Sequence, residues 1–344
     1  MILHVSYPEK FLPEYRDFIA RHFDSGQHQF LFLGCGGRHH IEASNCYFMP
    51  PNVFGYLKLF LYLLQANKIV LHGLFSEKLI FALACFWWLP KKCYWVVWGG
   101  DLYDYQIDTH EKPSFVKKLK KFIASRLRGV VTYLEGDYQR AKEWYGVCSP
   151  KYHCFAYLSN IYRGGNLSRE AAADNSTELL VLVGNSADPS NRHEDIFQKL
   201  KILECAADFK IICPLSYGDD SHAAHIKDLG ERLFGGKFNA LVDLMPLNEY
   251  MRIIERVDVA IFAHKRQQAM GNTIQLLGAG KKIVVRRDTA QYDLFKELGV
   301  SFEAFENFTL ESLSHSDALN NHRIIKTTFT EQHLAEQWRA IFNA

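Results

Sequence analysis

Short apolar runs alternate with helical patterns along almost the whole of this chain. Each run holds four to six residues, mostly branched aliphatic or aromatic, which is typical of a buried strand. Strands that alternate with helices form a parallel sheet with helices on both faces. We therefore predict ten strands, at residues 2–5, 30–33, 68–71, 94–98, 129–132, 179–183, 209–213, 240–243, 257–262 and 281–285.

Apolar residues spaced three or four apart predict helices between these strands. The predicted helices cover residues 53–66, 77–88, 193–207, 219–234, 248–256, 273–279, 291–298 and 331–342. Residues 162–177 (YRGGNLSREAAADNST) are polar and rich in glycine, with no apolar period. The sequence thus predicts an α/β protein with two doubly wound, Rossmann-like domains facing a central cleft, where ligands bind. Its parts are domain 1–161, linker 162–178, domain 179–325 and a C-terminal helical segment 326–344 that could pack back on the first domain.

Composition narrows the class of protein. The 344 residues are 48% hydrophobic and carry a net charge of +2, so global charge gives no support for nucleic-acid binding. Eight cysteines without a CxxC pair indicate buried free thiols in a reducing cytosol. The longest apolar run, 79–89, is shorter than the ~20 residues that cross a bilayer, and no signal peptide is predicted. We expect a cytoplasmic protein.

The segment 179–191 (LLVLVGNSADPSN) carries the strongest functional signal. A buried strand ends at Gly184 in a run of small polar residues, and a helical pattern follows. Such a junction directs free backbone N–H groups and a helix dipole at one point, where phosphate commonly binds. Gly184, Asn185, Ser186 and Asn191 are therefore candidate phosphate-binding residues, although residues 188–191 could also form a plain turn with a helix cap.

A second loop of this kind follows the strand at 257–262. Arg266 can fork onto a phosphate, Gln267 and Gln268 offer further donors, and Gly271 allows close approach of a ligand. Asn272 and Thr273 are candidates for the same site or simple helix caps. Two such loops in one domain predict a diphosphate site better than either loop alone.

In the N-terminal half, Asp101 and His72 each follow a predicted strand at the same sheet edge. Asp101 could serve as general base toward a sugar hydroxyl, or it could cap the next helix. A lone histidine is more often structural than catalytic, but His72 lies beside a second candidate.

Residues 113–130 (PSFVKKLKKFIASRLRGV) form a basic amphipathic helical pattern. This helix could pack on the core with its basic face in solvent, or it could dock on an anionic membrane surface. Nucleic acid is disfavoured as a partner because no aromatic stacking platform accompanies the basic run.

Five motifs give the chain a family resemblance: LHG at 71–73, WGGDLY at 98–103, LVGNSADPSNRH at 182–193, PLSYG at 214–218 and RQQAMG at 266–271. The chain resembles the bacterial TDP-Fuc4NAc:lipid II Fuc4NAc transferases, glycosyltransferase family 56. The resemblance implies a GT-B fold, with an acceptor-binding N-terminal domain and a nucleotide-sugar-binding C-terminal domain.

The resemblance also implies the substrates. It predicts a nucleotide-sugar donor, dTDP-linked, and an undecaprenyl-diphosphate-linked saccharide acceptor at the inner face of the cytoplasmic membrane, reached through helix 113–130. No metal and no cofactor are expected. The first ~60 residues match the family poorly, so the pathway can be enterobacterial common antigen, O-antigen or capsule synthesis.

The predicted mechanism distributes roles between the domains. Asn185, Ser186, Asn191, Arg266, Gln267, Gln268 and the amides after Gly271 stabilise the leaving diphosphate. Tyr217 stacks on or bonds to the nucleotide. Asp101 is the base if the reaction inverts the anomeric centre; if it retains the configuration, the donor phosphate accepts the proton.

Two other classes of protein share some of these features. A non-catalytic nucleotide-sugar or glycan-binding module with a decayed site could keep Arg266 and Gln267 without needing Asp101. A Rossmann dehydrogenase is disfavoured because no GxGxxG follows a strand, and residues 34–37 (GCGG) lack its third glycine.

Overall fold

A computed structural model gives the structure of this chain and describes residues 1–34, 43–50, 52–107, 115–164, 178–205 and 207–344. The chain divides into two compact units. Unit 1 comprises Met1–Ser159 together with Glu331–Ala344, and unit 2 comprises Asn160–Thr330. Most of the predicted linker, residues 165–177, lies outside the described residues, as do Cys35, Gly36 and Gly37 of the glycine motif.

Unit 1 contains a seven-stranded parallel sheet. Its strands are β1 (Ile2–Ser6), β2 (His28–Leu33), β3 (Cys46–Met49), β4 (Lys68–His72), β5 (Cys93–Val96), β6 (Gly129–Val131) and β7 (Lys151–Tyr152), in the spatial order β3-β2-β1-β4-β5-β6-β7. Its helices are α1 (Leu12–His22), α2 (Val53–Gln65), α3 (Glu77–Cys85), α4 (Gly100–Ile107), α5 (Phe115–Ala124), α6 (Glu135–Tyr145) and the C-terminal α13 (Glu331–Asn343).

Unit 2 contains a six-stranded parallel sheet. Its strands are β8 (Leu179–Val183), β9 (Phe209–Pro214), β10 (Phe238–Leu241), β11 (Val259–Phe262), β12 (Lys282–Val285) and β13 (Glu303–Ala304), in the order β10-β9-β8-β11-β12-β13. Its helices are α7 (His193–Leu203), α8 (Asp220–Phe234), α9 (Leu247–Arg256), α10 (Met270–Gly278), α11 (Ala290–Leu298) and α12 (His315–Thr328).

All ten predicted strands form, with ends that differ by two residues or fewer from the prediction. Their residues are almost wholly buried, as expected for strands covered on both faces. The sequence analysis missed β3, β7 and β13. Two of these strands have only two residues, and all three lie toward the sheet edges, where no long apolar run is needed.

The strand order reverses direction once in each sheet, between β1 and β4 in unit 1 and between β8 and β11 in unit 2. At such a switch point the connections leave to opposite faces, so a crevice opens outside the carboxyl ends of the two strands. The candidate residues after β4, β8 and β11 therefore lie at or beside these two positions. Within the described part of the chain, no helix has the length and apolar character needed to cross a bilayer.

Candidate functional site

The loop after β8 depends on Gly184. Its φ is +67°, in the left-handed region, and a Cβ there would lie 2.8 Å from Asn191 Oδ1 and 2.8 Å from His193 Nε2. Only glycine satisfies both the backbone conformation and the lack of space. The glycine that the sequence predicted for a phosphate loop is thus required by the packing of the loop itself.

Asn191 is the hub of this loop and is completely buried. Its Oδ1 accepts the backbone N–H of Asn185 at 3.0 Å and the Nε2–H of His264 at 2.7 Å. Its amide donates to the Asp188 carbonyl at 2.9 Å and to Ser186 Oγ at 3.2 Å. Asn191 therefore shapes the loop and has no exposed surface with which to contact a ligand, unlike the predicted phosphate contact.

Four buried polar atoms beside this loop have no hydrogen-bond partner. They are Asn185 Oδ1, Gln267 Oε1, His193 Nε2 and His264 Nδ1. Within the described residues of unit 2, every unpartnered buried side-chain N or O atom belongs to this set, and all four residues follow β8 or β11. Leaving a buried polar atom unsatisfied is costly, so their clustering makes this switch point the candidate position in unit 2 for a polar ligand or water that supplies the missing partners.

The helices that begin at this edge offer backbone donors. Both α7 and α10 start after a non-glycine residue in the left-handed region, Arg192 (φ 56°) and Ala269 (φ 57°). Neither helix has a side-chain cap hydrogen bond at its N-terminus. Their first N–H groups and the positive ends of their dipoles are thus available to an anion. Strained backbone of this kind occurs preferentially at functional sites.

Arg266 is paired with a carboxylate in this structure. Its guanidinium lies 2.8 Å from Asp188 Oδ2, and both side chains are partly exposed. Burial by itself would raise the pKa of Asp188, but hydrogen bonds from Ser190 and the nearby Arg266 bring it below its usual value. Gln268 accepts a hydrogen bond from Ser190 Oγ at 2.8 Å. A phosphate would therefore compete with Asp188 for Arg266.

The other predicted binding residues lie around the same edge. Tyr217 keeps 43% of its surface exposed, and its hydroxyl accepts the Asn185 amide at 2.9 Å, so its ring can face a ligand. Gly271 and Asn272 lie in the first turn of α10, where the Asn272 amide donates to Tyr250 Oη at 2.9 Å. The structure thus brings residues from the loops after β8, β9 and β11 together.

Thr273 has a different role from the predicted one. It is fully buried, its hydroxyl donates to the Met270 carbonyl at 2.9 Å, and it accepts the Gln291 amide at 3.1 Å. The first bond lies within α10, and the second joins α10 to α11. Thr273 therefore stabilises the helix and does not face a ligand.

Asp101, in unit 1, is completely buried. Its carboxylate accepts the backbone N–H groups of Leu74 and Trp98, both at 2.9 Å, and the indole N–H of Trp95 at 2.6 Å. Burial raises its pKa, while Lys120 and these donors act in the opposite direction. Such a carboxylate holds the ends of β4 and β5 together. Its position therefore favours a positioning role over the role of base.

His72 belongs to a buried hydrogen-bonded chain. The Trp98 indole N–H is a donor only and bonds to Tyr157 Oη at 2.7 Å. The Tyr157 hydroxyl then donates to His72 Nδ1 at 2.6 Å. The Nε2–H of His72 donates to His4 Nδ1 at 3.1 Å, and the Nε2–H of His4 donates to His28 Nδ1 at 3.0 Å. In this direction every donor meets an acceptor, with all three imidazoles neutral. Burial lowers the pKa of His72 to about 3, in agreement with a neutral ring.

A cavity of about 320 Å³ lies at the carboxyl edge of the unit 1 sheet. Tyr7 follows β1, Gly34 follows β2, and the first turns of α2 and α3 complete its lining. Glu77, the first residue of α3, places an exposed carboxylate there. The sequence analysis missed Glu77, although its place just after Ser76, whose side chain caps the helix, was a usable signal.

The basic helix predicted at 113–130 is shorter in the structure, and residues 113 and 114 lie outside the described ones. In α5, Lys120 is buried against Asp104 at 2.8 Å, and Lys117 donates to the Asp104 carbonyl at 3.1 Å. The apolar residues of the stripe pack on the core of unit 1, among them Val116, Leu119, Phe122 and Ile123. Most of the apolar face of α5 is therefore occupied, which leaves little of it to enter a membrane.

A sequence profile of the 4-alpha-L-fucosyltransferases of glycosyl transferase group 56 matches residues 64–343. The chain belongs to this family. The predicted family and the glycosyltransferase activity are thereby confirmed, and the alternative of a non-catalytic binding module is set aside.

Several solved structures share the fold of this chain. Sucrose-phosphate synthase from Thermosynechococcus elongatus matches with a TM-score of 0.70 and 10% identity, covering 99% of this chain and 98% of that one. HepE from Anabaena, in complex with UDP and glucose, matches with a TM-score of 0.67 and 11% identity, covering 99% of both chains. A glycosyltransferase from Rickettsia africae matches with a TM-score of 0.65 and 12% identity, over 99% and 97%. At such identities the likeness concerns the fold, and it confirms the GT-B class.

Proposed function

We propose that this glycosyltransferase moves a fucose-type deoxy-amino sugar, such as Fuc4NAc, from a dTDP-linked donor to an undecaprenyl-diphosphate-linked saccharide. The transfer takes place at the inner face of the bacterial cytoplasmic membrane, in the synthesis of a surface polysaccharide such as enterobacterial common antigen or O-antigen. Family membership supports the fucose-type sugar. The lipid-linked acceptor and the dTDP moiety rest on the motif resemblance.

The donor site is proposed from the polar atoms and helix N-termini that lack hydrogen-bond partners at the carboxyl ends of β8 and β11. A nucleotide sugar presents anionic oxygens together with sugar hydroxyls. The uncapped N-termini of α7 and α10 and the guanidinium of Arg266 suit the diphosphate. The unpartnered oxygens of Asn185 and Gln267 suit hydroxyl or base N–H groups. Negative charge develops on the diphosphate as it leaves, so these donors stabilise the transition state.

The acceptor binds in the unit 1 cavity in this proposal. Glu77 is exposed there and can accept the proton of an acceptor hydroxyl, which the buried Asp101 cannot reach in this structure. We assign Glu77 the role of base for an inverting reaction. Asp101 and His72 act as positioning residues that hold the carboxyl ends of β4 and β5.

Thermal unfolding with dTDP, UDP, GDP and NAD, each at saturating concentration, tests the donor. A ligand at ~100 times its dissociation constant adds about 2.7 kcal/mol to the stability of the native state. We expect a selective upward shift with dTDP. A selective shift with UDP or GDP would contradict the dTDP assignment, and a shift with none of the diphosphates would contradict the donor site.

Matched carboxamide variants test the base. Glu77→Gln should keep the unfolding temperature and the dTDP-induced shift while lowering kcat by about 10²–10⁴-fold. Asp101→Asn should instead lower the unfolding temperature, because the amide nitrogen would replace one acceptor oxygen and face at least one of the three existing donors. A stable, inactive Asp101→Asn beside an active Glu77→Gln would reverse the two assignments.

A further inference from the structure

Helix α2 is apolar on two opposite faces. Gly55, Leu59 and Leu63 face the core of unit 1 and are buried. On the other side, an outer stripe lies in solvent and consists of Val53 (80% exposed), Phe54 (81%), Leu57 (57%), Leu61 (48%) and Leu64 (38%). At 100° per residue these five side chains fall within one arc of about 100°. A helix with apolar residues on opposite faces is normally buried on both, and within the described part of the chain nothing covers the outer stripe.

The outer stripe continues into a cluster of exposed aromatic residues. Phe60 of α2 packs against Phe86 at 4.5 Å between ring centroids, Phe86 against Trp88 at 5.1 Å, and Trp88 against Trp87 at 6.1 Å. Trp87 and Trp88 are 57% and 41% exposed. The apolar surface thus runs the length of α2 and ends in a tryptophan pair, the residue type that is enriched at membrane–water interfaces.

The stretch of chain that carries this surface is almost entirely positive in its charges. Residues 43–100 contain one acidic residue, Glu77, and five lysines, namely Lys58, Lys68, Lys78, Lys91 and Lys92. Lys58, Lys78 and Lys91 are exposed and lie over exposed or half-buried rings of Tyr47, Tyr56 and Trp87, at 4.9 to 5.2 Å from the ring centroids. An apolar stripe bordered by lysines complements the acyl chains and the anionic headgroups of a bilayer together.

We infer that the outer stripe of α2, with Trp87 and Trp88, docks unit 1 on an anionic membrane surface. This assigns membrane contact to α2 instead of the basic helix α5. The stripe enters the interface, the tryptophans lie at headgroup level, and Lys58, Lys78 and Lys91 contact the headgroups. A second copy that docked through the same surface would bring lysines against lysines, since residues 43–100 offer Glu77 as their one carboxylate.

The inner face of the same helix explains why such docking would serve the reaction. Gly55, Tyr56 and Leu59 line the cavity at the carboxyl edge of the unit 1 sheet. One helix therefore joins the membrane-facing stripe to the cavity proposed for the acceptor. This link rests on the proposed lipid-linked acceptor, whereas the docking surface is measured without donor or acceptor.

Sedimentation with lipid vesicles tests the inference. The full chain should sediment with vesicles of phosphatidylcholine containing phosphatidylglycerol, and less with phosphatidylcholine alone. Leu57→Glu combined with Leu61→Glu should lower the partition coefficient by more than about tenfold, because two leucines would no longer enter the interface. Both positions are exposed, so the unfolding temperature should stay unchanged. Tryptophan emission should shift to shorter wavelength on vesicle binding, and Trp87→Phe should diminish that shift.

The matched control is Ile202→Glu, which places the same charge on an exposed aliphatic residue of unit 2 (77% exposed) and should leave vesicle binding unchanged. Wild-type protein that stays in the supernatant, or a double variant that sediments like wild type, would overturn the inference. So would a wild-type dimer that dissociates in the double variant, since the stripe would then be covered by a second copy. The dTDP-induced thermal shift is measured without vesicles. A failure of vesicle binding therefore does not affect the test of the donor site, and a missing thermal shift does not affect the test of membrane docking.

Discussion

The two units place histidines at the same topological position and use them differently. In unit 1, His4 of β1 and His72 of β4 lie at the switch point. Together with Tyr157 and His28 they form a linear chain of hydrogen bonds, which we call the closed chain because each of its donors meets an acceptor within it. In unit 2, His193 and His264 follow β8 and β11, and each keeps one ring nitrogen buried without a partner. The helices beside them begin uncapped.

This difference underlies our proposal that the donor binds at the switch point of unit 2. The strand order provides a crevice in both sheets, but His4 and His72 of unit 1 use their ring nitrogens in bonds to one another and to Tyr157 and His28, whereas His193 and His264 of unit 2 each keep one ring nitrogen without a partner. Aromatic side chains of α13, Trp338 and Phe342, also pack beside His4 and His72 in unit 1. Unit 2 leaves acceptors and helix donors unsatisfied. The four predictions below test this contrast: three single substitutions come first, from the largest expected effect to the smallest, and an acid titration that acts on both units follows.

Removing the guanidinium of Arg266 should have the largest effect. Arg266→Ala should lower activity by about 10²–10³-fold, since a charged donor to the leaving diphosphate is lost. The unfolding temperature should change little because the side chain is partly exposed. Steady-state kinetics and thermal unfolding measure the two effects. Arg232→Ala, on the exposed surface of α8, is the control and should be neutral; a loss of activity that only accompanies unfolding would remove Arg266 from the donor site.

Gly184→Ala should destabilise unit 2 by about 2–3 kcal/mol, from left-handed backbone strain and contact with Asn191 and His193. Denaturant unfolding measures the loss, and dTDP should recover part of it. Gly236→Ala, where a Cβ meets open space, is the matched control. Equal stability of the two variants would mean that the loop after β8 can rearrange.

His4→Phe should break the closed chain of unit 1. His72 and His28 would each lose a buried partner, which we expect to cost about 1–3 kcal/mol in the free energy of unfolding. The new ring can still stack on Phe30, so the loss reports the hydrogen bonds. The dTDP-induced thermal shift should persist. If the variant keeps full stability but no longer responds to dTDP, the division of roles between the units is wrong.

Acid should weaken both units through their histidines. Burial lowers the pKa of His28 to about 4 and those of His72, His193 and His264 to about 3. Below pH 6.5 these rings bind protons in the unfolded chain but stay neutral in the folded one. The free energy of unfolding therefore holds their full contribution above pH 6.5 and loses it as the pH falls toward these pKa values. Each contributes a slope of at most about 1.4 kcal/mol per pH unit. Urea unfolding between pH 7 and pH 4 measures it, and a flat profile would contradict the neutral chain.

Much of the fold could be predicted from local sequence. Ten runs of buried residues identified ten strands, because a strand covered on both faces must be apolar along its length. The loops after β8 and β11 were recognised because a glycine and small polar residues interrupt strong apolar runs at a helix start. Two of the five GT56 motifs, at 182–193 and 266–271, occur at these same loops.

Side-chain roles were predicted less well. Asp101 and Thr273 have the residue types of a catalytic base and a phosphate contact, but both are fully buried and hydrogen-bonded to the protein. Glu77 and the outer stripe of α2 were missed. Whether a carboxylate faces solvent, or an apolar face meets a core, depends on neighbours that lie far away in sequence.

The sequence by itself determined the alternation of strands and helices, the two βα series and the loops rich in glycine, because these depend on residues a few positions apart. Only the tertiary structure decided which polar groups satisfy one another. The closed chain from His28 to Tyr157 joins residues separated by up to 85 positions, and the unsatisfied atoms of Asn185 and Gln267 stand out only once every neighbour is in place. Hydrogen bonding and burial are properties of packed neighbours, and that is why function at these two edges was decided by the fold.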